Sequence, residues 1–212
     1  RLGQEAERLG IRVVERCSVV GARVKGDEVV ALKTEWGDIS GSQYVLAAGY
    51  WSGDLGRALG LRIPMRAAKG YSLQFPRGSI HPVRSISLGE RKVTVTPHQD
   101  RLRVAGTLEI VGDDLSVNER RVGAIERGAR GLLALPPDRA EPAAWAGLRP
   151  CLPDGMPAIG RSPRHRNLWL AIGHQMTGLK CAPGTARMLA ELMCGETPTF
   201  GPRPFSPDRC CR

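Results

Sequence analysis

Apolar residues in this chain recur mostly in short alternating runs punctuated by glycine and proline, and only a few stretches carry helical spacing. That pattern predicts a mixed α/β fold made largely of short strands. Leu2, Ala6 and Leu9 share one helical face and lead to a predicted strand at 11–14. Three short strands are expected between Ser18 and Ala47: Val19, Val20, Ala22 and Val24 run to the turn Lys25-Gly26-Asp27, Val29, Val30 and Leu32 run to Trp36-Gly37-Asp38, and 44–47 forms the third. From about Leu61 the character changes, because Pro64, Pro76, Pro82 and Pro97 divide the chain into short strands such as 85–88, 92–95 and 102–107, an antiparallel pattern. Ser116-Val117-Asn118-Glu119 reads as a capping box before a helix with Val122, Ile125, Ala129, Leu132 and Leu133 on one face, ended by Pro136-Pro137. An apolar strand at 168–172 runs into Gly173-His174-Gln175-Met176-Thr177-Gly178. Pro183 is expected to open the last helix, over 184–193, with Gly195 as its stop.

Composition narrows the class without fixing it. The 212 residues are 42% hydrophobic and 25% charged, as in an ordinary globular protein with room for one substantial core or two small domains. No apolar run approaches a membrane span and no signal peptide is visible. The six cysteines lack zinc spacing, which favours reduced thiols and a cytoplasmic setting. A net charge of +10 raises the question of nucleic acid, but the basic residues are scattered singly and no specific nucleic-acid partner is expected. Such a surface can also associate peripherally with anionic lipid on the inner face of the plasma membrane.

Candidate chemistry is concentrated late in the chain. Arg149 lies between an aromatic strand and the stiff Pro150/Pro153 segment, where a guanidinium can grip a carboxylate through two parallel hydrogen bonds. The helix start beyond Gly178 offers backbone N–H groups and a positive dipole end to an electron-rich group. His174 is read either as a turn residue or as a proton carrier, and Lys180 either as a charge beside that electron-rich group or as a surface lysine. Gly49 is either a strand-to-helix turn or a place where backbone meets a ligand. Tyr71 and His98 are candidate pocket residues, although an aromatic in a strand also suits a core.

The segments VLAAGYWS (45–52), KGYSL (69–73), TPHQDRLRVAGTLEIVG (96–112) and WAGLRPCLPDGMPAIG with NLWLAIGHQMTGLKCAPGTARMLAEL (145–192) occur in the order found in the FAD-dependent D-amino acid oxidase superfamily. The chain resembles the C-terminal half of such a protein, and among its members the bacterial D-amino acid dehydrogenase small subunit most closely. The resemblance implies part of a Rossmann-like FAD-binding domain with a β-meander (1–60), an antiparallel-sheet substrate domain (61–147), a return to the FAD domain (148–200) and a tail (201–212). It implies FAD as cofactor, with Val19, Ala48, Gly49, Trp51, Leu148 and the run Gly173, His174, Gln175, Met176, Thr177, Gly178, Leu179 and Lys180 near it. Arg149 would hold the substrate carboxylate, with Tyr71, His98 and Met176 in the substrate pocket.

The implied activity is oxidative deamination of a D-amino acid to a 2-oxo acid, with hydride passing to flavin N5 and electrons on to a quinone or other acceptor. Two other readings stay open: an oxidase of a different amine or amino acid within the superfamily, and a catalytically silent fragment that needs a partner chain. The second arises because no GxGxxG turn, the usual pyrophosphate cradle, occurs anywhere in the 212 residues. Glycine-oxidase-like members carry a tyrosine near Thr94 and a second arginine at Met176, which favours a dehydrogenase here. Gln175 stands where a glycine is common.

Overall fold

The computed structural model describes residues 2–77, 81–139 and 144–212. They divide into two compact units, one formed by residues 1–64, 157–172 and 182–212, the other by 65–156 and 173–181. The expected boundaries at 60 and 148 therefore move. The strand that carries Arg149 stays paired through Cys151, which holds 148–156 in the second unit.

In the first unit α1 (Leu2–Arg8) buries none of its residues, and 11–14 form no strand, with Ile11 and Val13 more than half exposed. Alternating apolar residues make a strand only where a neighbour accepts their backbone bonds. β1 (Val19–Lys25) and β2 (Glu28–Thr34) form a hairpin closed by Gly26-Asp27, with Gly26 at φ 61°. Its third strand is β3 (Gly37–Ile39), too short to be legible in the sequence. β4 (Tyr44–Leu46), expected to continue the same run, instead pairs in parallel with β11 (Leu168–Ile172), which is antiparallel to β10 (Ala158–Arg161). The Tyr44 hydroxyl ties the two sheets by donating to the Val30 carbonyl, 2.9 Å, and accepting from the Gly41 N–H. A short α2 (Ser52–Ala58) follows β4, and at the other end Arg212 exchanges backbone hydrogen bonds with Arg62.

The second unit is one antiparallel sheet. Its strands are β5 (Arg66–Pro76), β6 (Ile86–Leu88), β7 (Val93–Pro97), β8 (Arg101–Val111) and β9 (Ala144–Cys151), in the order β6-β7-β8-β5-β9. Because side chains alternate across a strand, the register sorts the sheet into two unlike faces. One carries Tyr71, Leu73, Phe75, Val93, Val95, Leu102 and Val104 and is covered by Val122, Ile125 and Ala129 of α3 (Glu119–Arg130). The other carries Ala68, Gly70, Ser72 and Gln74 of β5, Arg103 and Ala105 of β8, and Trp145, Gly147 and Arg149 of β9. A run of small and polar residues along one face of a central strand is the mark of a surface shaped to receive something other than a helix.

α3 is capped by Asn118, whose side chain accepts from the Arg121 N–H, and not by Ser116. Ser116 is occupied elsewhere: its N–H donates to Asp114 and its carbonyl accepts from Lys69 Nζ at 3.0 Å. Lys69 is buried, with its ammonium 2.7 Å from the Asp114 carboxylate, and the pairing holds the Asp114 carboxyl well below its ordinary range.

Candidate functional site

In the second unit the site grows from Arg149. Its guanidinium is half-buried, and among the described residues it has no hydrogen-bond or ion-pair partner, with Nη1 shielded from water. It lies flat against the backbone of Gly70, where a Cβ would overlap Nη1, Nη2 and Cζ. Loss of water, with a smaller push from Arg103, draws its pKa below the ordinary arginine value, opposed by Cys151. Arginine nonetheless keeps its charge, so a desolvated, unpaired guanidinium is a group that gains from an anion.

A cavity of about 590 Å³ opens beside it, lined by Arg149, Met176, Thr94, Ala105, Thr107 and Leu108 among others. Arg149 and Met176 both line this cavity. Tyr71 does not: it sits in the core on the opposite face, its hydroxyl donating to Glu109 at 2.7 Å. An inward aromatic on a central strand fills the core that α3 covers. His98 lies exposed in the β7–β8 turn, beside a separate concavity with Gln74 and Arg101. Leu148 faces the same side as Lys69, its partner across β5.

The 173–178 turn is tied to the end of the strand that carries Arg149. Gln175 N–H donates to the Pro150 carbonyl at 3.0 Å, and His174 bridges Cys151. Gly173 takes φ 79° with Leu152 packed where a side chain would go, so no other residue fits. Thr177 N–H and Oγ1 both donate to the His174 carbonyl, at 3.0 and 2.9 Å. Burial holds the His174 pKa below 6.5. As pH falls through about 6.5 the unfolded chain therefore takes up a proton that folded His174 resists, so this contribution to stability is present above that pH and lost below it. The His174 C2–H resonance is expected to titrate with a midpoint below 6.5, and a midpoint above that value would contradict the burial argument.

α4 (Gly178–Cys194) begins five residues before Pro183, which lies inside it. The turn bonds at His174 and Thr177 start the helix early, with Cys181 N–H on the Thr177 carbonyl. The N–H groups of Gly178, Leu179 and Lys180 have no backbone acceptor among the described residues, Leu179 is 90% exposed and Lys180 is exposed. Pro183 leaves the Leu179 carbonyl without its helical donor. Pro183→Ala is expected to raise Tm by roughly 3–10 °C, from about 1–3 kcal/mol of restored helix, read by thermal denaturation; an unchanged or lower Tm would show the proline to be accommodated without cost.

In the first unit Val19 and Ala48 line one cavity of about 330 Å³ with Ala22, Leu32, Ala47 and Leu55, and no charged residue lines it among those described. Gly49, at φ 57° with open space where a Cβ would stand, starts a 3-10 turn to Trp51, which is half-exposed. An uncharged, apolar cavity suits an aromatic base. Taken by itself in the second unit, the N–H row at the start of α4, without backbone acceptors among the described residues, suits an electron-rich group. Each matches the chemistry of one part of a flavin nucleotide.

Sequence reasoning missed Gly70 and Thr107. The first had a signal, a glycine in the middle of a strand; the second shows only through its backbone conformation, φ 54°.

The family described as FAD dependent oxidoreductase, DAO, matches residues 1–192. A glycine oxidase of Pseudomonas aeruginosa is 35% identical over 193 residues, covering 91% of this chain and 53% of that protein. A D-amino acid dehydrogenase of Vibrio cholerae serotype O1 is 35% identical over 201 residues, covering 93% and 48%. Among solved structures, glycine oxidase from Geobacillus kaustophilus superposes with a TM-score of 0.82 at 27% identity, over 97% of this chain and 55% of that one. The chain thus spans about half the length of the curated relatives it matches.

Proposed function

Since the chain belongs to the DAO family of FAD-dependent oxidoreductases, we propose that it supplies the substrate-carboxylate subsite and part of the flavin surround of an enzyme that oxidises D-amino acids to 2-oxo acids and ammonia. The observation that carries this reading is the desolvated Arg149 guanidinium, without a partner among the described residues, seated on Gly70 and lining a cavity. When bound, FAD supplies the two-electron acceptor that takes the α-hydrogen as hydride. Arg149 anchors the carboxylate by a bidentate pair and so fixes which way Cα–H points. Met176 and Leu108 give apolar wall to the side chain, and the free N–H groups at the start of α4 meet developing negative charge. His174, kept toward its neutral form, acts through the turn it holds. A quinone is the electron acceptor this reading favours, with the basic surface drawing the protein to anionic lipid.

A second reading, oxidation of glycine or another small amine, is favoured by the equal identity of the two relatives. Against it stand Thr94 and Met176 at the cavity, where the resemblance would have placed a tyrosine and an arginine in a glycine oxidase. The test joins this chain to a GxGxxG-bearing segment, loads FAD, and follows anaerobic bleaching and 2-oxo acid release with D- and L-isomers and glycine. Faster reduction by glycine or by L-isomers would overturn the D-amino acid assignment. The 212-residue chain alone, which has no GxGxxG turn, is expected to retain FAD weakly, and stoichiometric flavin surviving gel filtration would contradict that.

A further inference from the structure

We propose that Thr107 is the amine-side contact of the substrate, its Oγ1 accepting a hydrogen bond from the nitrogen of the amino acid whose carboxylate Arg149 holds; this rests on the carboxylate role of Arg149 given above.

Three observations meet at Thr107. Its backbone is at φ 54°, a conformation that a β-branched residue rarely adopts and that glycine would take without strain. Strain of this kind persists where the surrounding structure imposes it, and it concentrates at ligand sites. Its Oγ1 is shielded from water and, like Nη1 of Arg149, has no hydrogen-bond partner among the described residues, and both residues line the same cavity. Finally, the β5–β8 register shifts between Lys69 and Tyr71, so that Gly70 faces the pair Thr107 and Leu108 across a bulge. The Arg149 guanidinium rests on Gly70, so the bulge and the guanidinium meet the same position of β5, and both side chains line one cavity.

An amino acid held by its carboxylate still has one polar group, the amine, and it needs an acceptor. Among the described lining residues there is no acid, and the side-chain acceptors are the hydroxyls of Ser87, Thr94 and Thr107. Ser87 and Thr94 sit on β6 and β7, whereas Thr107 is on β8, directly beside the strand under the guanidinium. A hydroxyl without a partner gives up no hydrogen bond by rotating about χ1 into the cavity, where an N–H can satisfy it.

The test uses the full chain with D-alanine and propionate, which share a carbon skeleton and carboxylate and differ in the amine. Binding is followed by chemical-shift titration in the wild type and in Thr107→Val, Thr107→Ser and Arg149→Met. Thr107→Val keeps the β-branch and removes the hydroxyl, so D-alanine should bind roughly three- to tenfold more weakly while propionate changes less than about twofold. Thr107→Ser should retain D-alanine affinity, and Arg149→Met should weaken both ligands. Equal weakening of both ligands by Thr107→Val, or loss of D-alanine by Thr107→Ser, would overturn the amine contact and leave Arg149 in place. Propionate binding that is absent in the wild type, or unaffected by Arg149→Met, would instead remove the carboxylate role on which the proposal stands.

Discussion

Replacing Arg149 by alanine is expected to lower kcat/KM for the amino acid substrate by about 2–4 kcal/mol of transition-state stabilisation, roughly 30- to 700-fold, in a preparation that holds FAD. The physical basis is the state of the guanidinium in the free protein. It is half-buried and has no partner among the described residues, so the carboxylate meets a charge that is prepared for it and not one that must first leave a salt bridge. Arg149→Lys keeps a charge but loses the planar fork, and it should fall between the two, with more of the loss in kcat than in KM because lysine still attracts the substrate without orienting it. Steady-state kinetics unchanged in Arg149→Ala would take the residue out of the site.

Gly70→Ala is expected to produce a loss close to that of Arg149→Lys, although it changes no polar group. The added methyl would occupy the place of Nη1, Nη2 and Cζ of Arg149, and those atoms are the head of a side chain that can swing away. The fold should therefore survive while the guanidinium leaves its seat. Overpacking of this kind costs about 1–3 kcal/mol, here felt as roughly a 5- to 150-fold weaker hold on the carboxylate. The discriminating measurement pairs the Tm of the variant with its affinity for propionate. A lowered affinity with Tm within a few degrees supports the seating role, whereas retained affinity would mean that the guanidinium finds an equally good position off Gly70.

Arg149 was legible in the sequence because it stands between an aromatic strand and two prolines in a motif that recurs in one superfamily. Gly173 and the turn after it were legible for a related reason, since glycine and proline punctuate the backbone locally. Legibility failed where pairing decided the outcome. The residues 11–14 alternate as a strand should, yet among the described residues no strand pairs with them, and the Ile11 N–H turns back to the Ala6 carbonyl. The strand at Tyr44 reads as a third member of the preceding run, yet its partner is Leu168–Ile172, more than 120 residues further on. Ser116 has the spacing of a cap, but the buried ammonium of Lys69 claims its carbonyl and Asn118 caps the helix.

The sequence by itself determined the strand-rich class, the family, the cofactor that family uses and the arginine proposed to hold the substrate carboxylate, because each of these is carried by residue types at short, local spacings. Only the tertiary structure decided that Tyr71 belongs to the core, that Pro183 lies within its helix, that Gly70 is the floor under Arg149 and that Thr107 stands opposite that floor. Each of those depends on strand register and on which of two sheet faces a side chain meets. A one-residue bulge reverses that choice, and no local composition records it.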